Sequence, residues 1–160
     1  MKNSTIQVIC GSGKGKTSCA VGQGITALTK GQSVIMVQFL KGSLEQEGVE
    51  IIRRLEPEFK LFRFEKTPCP YDRLSKEEKQ EAGVRIRNGL NFAKKVLVTG
   101  ECSLLILDEI LGIFQEGIIS EEELRAFIDQ GRQSETSMIL TGEICPEFLE
   151  AQADRKTTIC

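Results

Sequence analysis

Residues 11 to 17 read Gly11-Ser12-Gly13-Lys14-Gly15-Lys16-Thr17, a run whose residue types and spacing specify a chemistry. Alternating glycines let the backbone turn its N–H groups toward the oxygens of a phosphate. Lys16 supplies positive charge for the outer phosphates and Thr17 a hydroxyl for a divalent cation, and a helix starting here adds the partial positive charge of its amino end. The usual spacing of such a loop has a glycine at position 10, where this chain has Cys10; Gly11, Gly13 and Gly15 supply the flexibility instead. A second pair, Asp108-Glu109, directly follows the apolar run Leu104-Leu105-Ile106-Leu107. An acid at the end of an apolar strand is the usual partner that holds Mg²⁺ beside a phosphate loop. The expectation is a nucleotide site at Gly11 to Thr17, with Thr17, Asp108 and Glu109 as ligands of Mg²⁺ or Mn²⁺.

What the chain lacks narrows the chemistry further. Its 160 residues include no histidine, which removes Ser-His-Asp and Cys-His catalysis and histidine-held zinc or haem. With 21 Lys and Arg against 23 Asp and Glu, the net charge is −2. The basic residues are scattered, so neither nucleic-acid nor membrane binding by bulk charge is expected. Six cysteines without a C-x-x-C pair, and a start at Met1 to Thr5 that does not read as a signal peptide, predict reduced thiols in a cytoplasmic protein. The longest apolar runs fall far short of the roughly 20 residues that a membrane span needs.

The elements that must position these residues are legible as short apolar runs between helical patterns. Strands are expected at Ile6 to Cys10, Ser33 to Phe39, Phe59 to Phe64, Leu104 to Leu107 and Ser137 to Leu140. All but the third are nearly continuous in apolar residues, which suits strands covered on both faces. Helices are expected from Gly15 to Thr29, from Ser75 with Glu78 as a capping box to a stop at Gly100, from Ser120 with Glu123, and from Pro146 to about Ala153. Strand alternating with helix predicts one α/β domain over residues 1–160, a P-loop NTPase-like, mostly parallel sheet with helices on both faces. Ligands in such sheets bind at the carboxyl ends of the strands. The irregular stretch Glu65 to Arg73 is a candidate lid or substrate loop.

One further run, Val37-Gln38-Phe39-Leu40-Lys41-Gly42, ends the second strand. Together with Gly13-Lys14-Gly15-Lys16-Thr17, Leu107-Asp108-Glu109 and Leu140-Thr141-Gly142 at the expected last strand, it resembles the P-loop class of ATP:corrinoid adenosyltransferases over about residues 6 to 154. The resemblance implies that a Co(I) corrinoid attacks the 5′ carbon of ATP and the triphosphate leaves whole. Lys16, Mg²⁺ and the loop amides then neutralise the leaving group, and no imidazole is required because the reduced cobalt is the nucleophile. By resemblance Gly13 to Thr17 and Ser18 bind the nucleotide, Thr17 and Glu109 hold the metal, and Lys16 and Glu109 are the catalytic residues. Gln38 and Lys41 line the site beside the nucleotide. Phe62 and Phe64 fall where the family crowds the corrinoid's lower face, although an alternating pair of Phe on a strand is equally ordinary core. The implied assembly is a homodimer served by a flavin-type electron donor protein.

The chain departs from the family pattern in three places. Glu143 stands after Thr141-Gly142 where relatives typically carry Arg, the long helix has no tryptophan, and the sequence reaches Cys160 without the family's basic carboxyl-terminal segment. These departures fit a divergent, weak or inactive member, or a subunit completed by a partner. Two other functions fit the same motifs: a P-loop ATPase or nucleotide switch in which Glu109 polarises a water, and a nucleotide- or corrinoid-binding protein without turnover.

Overall fold

The computed structural model of the protein describes residues 4–40, 46–64 and 70–160. Five strands form where the apolar runs predict them: β1 (Ile6–Cys10), β2 (Val34–Gln38), β3 (Phe59–Arg63), β4 (Leu104–Asp108) and β5 (Ser137–Thr141). Every residue of β1, β2 and β4 is buried, as strands covered on both faces require. A sixth, β6 (Arg155–Thr158), has no apolar signal to reveal it and is held at the sheet edge by backbone pairing to β1. β5 is therefore not the last strand, contrary to the sequence expectation. All pairings are parallel, in the order β3-β2-β4-β5-β1-β6.

Helices cover both faces. On one lie α1 (Lys16–Thr29) and α2 (Gln46–Arg53), whose Ala20, Ala27, Val49 and Ile52 pack on Met36, Phe59 and Ile106. On the other lie α3 (Lys76–Thr99), α4 (Ile110–Gln115), α5 (Glu121–Gln133) and α6 (Glu147–Gln152), packed on Val8, Val37, Leu105 and Leu107. Ile86, Leu90 and Leu97 of α3 are fully buried, and each such side chain contributes about 1.5–3 kcal/mol. α1 approaches the sheet closely at Gly24, where a Cβ would lie 2.5 Å from the Phe59 ring.

The helix ends follow their sequence signals, with two differences. At α3 the capping box is complete: Glu78 N donates to Ser75 Oγ at 3.2 Å and Ser75 N to Glu78 Oε1 at 3.3 Å, and Gly100 closes the helix at φ 65°. At α5 only half forms. Glu123 N donates to Ser120 Oγ, but the Glu123 carboxylate turns to Arg87 and ties α5 to α3. Pro146 precedes α6 as its N-cap, with extended ψ of 147°, and does not occupy the first turn. The sequence reading has no α2 or α4, which are only eight and six residues long.

Candidate active site

The phosphate loop leaves β1 at Cys10 and enters α1 at Lys16. Cys10 closes an ordinary strand: it is buried, and its thiol lies 3.8 Å from Thr158 Oγ1 of β6. A glycine at this position is unnecessary, because the backbone first takes a left-handed conformation one residue later. Gly15 supplies the turn into the helix at φ 108°, where nothing lies within 4 Å of a Cβ position, so conformation and not space selects glycine. The loop is tied to neighbouring backbone on both sides: Gly11 N donates to Glu143 O at 2.8 Å and Gly13 N to Ile159 O at 2.9 Å. Lys16 Nζ donates to Gly11 O at 2.8 Å and Gly13 O at 2.7 Å, which holds its charge over the loop. Ser12, Lys14 and Ser18 are exposed around it.

Under the loop sits a hub built on Asp108, which ends β4 and is 0% exposed. Thr17 Oγ1, at the start of α1, is 3.1 and 3.2 Å from the two carboxylate oxygens. Thr141 Oγ1 of β5 donates to Oδ1 at 2.8 Å, and Gln38 Nε2 of β2 to Oδ2 at 3.0 Å. Thr141 Oγ1 also accepts from Glu109 N at 2.9 Å. Sheet order explains the cluster. β5 lies between β1, which feeds the loop, and β4, which presents the acid, so the carboxyl ends of β2, β4 and β5 place Gln38, Asp108 and Thr141 at one level. Thr141 is the residue that the sequence reading leaves out of the site. Its signal is position, one strand over from Asp108 within the Leu140-Thr141-Gly142 run.

Glu109 follows Asp108 at φ 65°, a left-handed conformation costing a non-glycine residue of order 1–3 kcal/mol that concentrates at functional positions. The backbone there turns at once into α4. Burial raises the pKa of its carboxyl, and the Asp108 and Glu143 charges add to the rise while Lys16 opposes it. Burial also raises Asp108, against the hydrogen bonds from Thr141, Gln38 and Thr17 and the Lys16 charge. Two carboxylates that resist ionisation stand next to an ammonium and a hydroxyl, a set of groups that could hold a divalent cation. The donors are hard oxygens, as Mg²⁺ prefers. Among the described residues no group of three or more Cys, Asp or Glu is placed to hold a metal ion by itself.

Thr17, Gln38 and Asp108 are thus joined by hydrogen bonds, with Lys16 and Glu109 beside them. Phe62 and Phe64 stand apart. They face α3, on the side of the sheet opposite α1, with ring centroids 4.5 and 5.8 Å from Phe92. Lys41 and most of the candidate lid, residues 65–69, lie outside the described residues. The described cysteines 10, 19, 102, 145 and 160 are free thiols. No helix among the described residues is long and apolar enough to cross a membrane.

A family model described as ATP:corrinoid adenosyltransferase BtuR/CobO/CobP matches residues 2–160. The corrinoid adenosyltransferase of Escherichia coli (strain K12) is 28% identical over 149 residues, which cover 93% of this chain and 72% of that protein. The corrinoid adenosyltransferase CobA of Salmonella typhimurium is 26% identical over the same shares.

Proposed function

Because the chain belongs to the ATP:corrinoid adenosyltransferase family, we propose that it transfers the 5′-deoxyadenosyl group of ATP to a Co(I) corrinoid and releases triphosphate. The observation that carries this reading is the bond between Thr17 and Asp108, which fastens the phosphate loop to the acid of β4. Co(I) supplies both electrons of the new cobalt–carbon bond. The C5′–O bond breaks, and its electron pair leaves on the triphosphate. The chain's work is positioning and charge neutralisation. Lys16, released from Gly11 O and Gly13 O, meets the outer phosphates, and the loop amides other than Gly11 N and Gly13 N, which brace the loop, hold their oxygens.

Thr17 Oγ1 and the Glu109 carboxylate are the groups that would hold Mg²⁺ or Mn²⁺, with Asp108 behind them orienting the Thr17 hydroxyl. The cation supplies charge neutralisation on the leaving triphosphate. Asp108 is placed in this supporting role because both its oxygens already accept protein donors. Phe62 and Phe64, half-buried at the end of β3, offer an aromatic wall for a corrinoid on the α3 side. A homodimer, a flavin-type electron donor and a cytoplasmic setting complete the reading.

Product identity tests it. Protein, Mg-ATP and chemically reduced corrinoid are expected to give triphosphate and an adenosylated corrinoid in equal amounts. ADP with phosphate, and no cobalt–carbon bond, would assign an ATPase instead.

A further inference from the structure

The polar row at the carboxyl edge of the sheet continues past Asp108. Gln38 is in register with Asp108 of β4 on one side and with Arg63 of β3 on the other. Met36 and Leu61, two residues earlier on β2 and β3, belong to the core under α1 and α2. Strand alternation therefore puts Gln38 and Arg63 on that same face, beside the hub.

Both residues carry a polar atom that the fold leaves unused. Gln38 is 0% exposed, and its Oε1 is buried without a hydrogen-bond partner. Its Nε2 donates to Asp108 Oδ2 at 3.0 Å, which leaves Oε1 as the free end of the amide. Arg63 is half-exposed, yet its Nε is buried and equally without a partner. Bare buried polar groups are rare in folded proteins and point to a missing partner. Here they are one acceptor and one donor, at the same level of adjacent strands and not bonded to each other. A phosphate oxygen would satisfy Arg63 and leave Gln38 bare, and a cation would do the reverse. One group serving both must accept and donate at once, as water, a hydroxyl or a primary carboxamide does.

We infer that Gln38 Oε1 and Arg63 Nε–H form a substrate subsite that takes a hydroxyl or a primary carboxamide. The inference rests on the adenosyl-transfer reading, in which each substrate offers one such group: ATP its ribose hydroxyls, the corrinoid its peripheral carboxamides. Gln38 is one side chain removed from Thr17 through Asp108, so the subsite adjoins the phosphates on the side away from the loop. Its function is specificity: a ligand lacking the group leaves both buried atoms unpaired.

Equilibrium binding in the presence of Mg²⁺ tests this with two ligand sets. One is ATP against 2′-deoxy-ATP and 3′-deoxy-ATP; the other is a corrinoid with intact carboxamides against its partly hydrolysed carboxylate analogue. Wild type is expected to prefer the intact ligand by about tenfold in one set, and that set identifies the source of the group. Arg63→Met is expected to abolish that preference. Arg63→Lys is expected to do the same, since it keeps the charge but has no N–H at the Nε position, and it stands in for the methionine variant should that one fold poorly. No preference in wild type for either set means that the pair binds only water and overturns the subsite. Undiminished preference in both variants, or in Arg63→Lys alone, overturns it too. A wild-type chain that binds neither ATP nor a corrinoid removes the transfer reading and the subsite together, whereas normal binding with unaltered preference removes the subsite alone.

Discussion

Replacing Asp108 by asparagine removes a negative charge from a side chain that is 0% exposed and barely changes its shape. Two opposing effects decide the outcome. Hydrogen bonds to a charged group contribute about 1.5–3 kcal/mol each, and Thr17, Thr141 and Gln38 all donate to Asp108. Against them, a carboxylate held away from water costs several kcal/mol. Burial wins, since the Asp108 pKa is raised in spite of all three donors and Lys16. A carboxyl with a raised folded pKa gives its full stability below the ordinary value of 3.8 and loses it as pH climbs through the folded value. Asparagine does not titrate. Its oxygen still accepts from the two threonines, and its N–H₂ meets Gln38 Oε1 once the Gln38 amide turns over. The stability of the variant relative to wild type is therefore expected to grow with pH above about 4, by up to ~1.4 kcal/mol per pH unit, until Asp108 is ionised. Urea unfolding of both chains across about pH 4 to 8, with chelator and without nucleotide, measures the difference while shared groups cancel. A difference that is flat, or that turns against the variant as pH rises, refutes the reasoning.

Lys16→Ala is expected to weaken Mg-ATP binding by at least about tenfold, as loss of a charged contact does; an unchanged dissociation constant by calorimetry would remove Lys16 from the site. Gly24→Ala places a methyl 2.5 Å from the Phe59 ring and is expected to cost about 1–3 kcal/mol in urea unfolding through overpacking, so a stabilised variant would show that α1 lifts freely off β3. The Cys102 thiol, pushed up to about 12 chiefly by burial, is expected to resist iodoacetamide at neutral pH until the chain unfolds; mass mapping that finds it alkylated in the native protein contradicts that burial.

Where the sequence is informative, one physical signal is locally sufficient. Ile6 to Cys10 and Leu104 to Leu107 are buried on both faces, so their composition alone marks them as strands. Ser75, Glu78 and Gly100 carry the bounds of α3 in their own cap chemistry. The failures are elements whose stability is not local. Arg155 to Thr158 form a strand only because β1 offers an unpaired edge, and Glu109 to Gln115 turn into α4 only after a strained residue. The site divides similarly. Lys16, Thr17 and Asp108 are visible from motif and spacing, and Gln38 from family resemblance. Thr141 and Arg63 join the row through strand register, which becomes known only with the order of the sheet.

That order also fixes when the phosphate loop can come into being. β1 is made before its partners β5 and β6, and Thr5 and Ser137, which bond across the seam, are 132 positions apart. The backbone groups that brace the loop, Glu143 O and Ile159 O, emerge well after the loop itself. Until they do, Gly11 to Thr17 is a glycine-rich segment without its braces. Closure of such distant contacts is slow, so the loop takes its braced form late in folding.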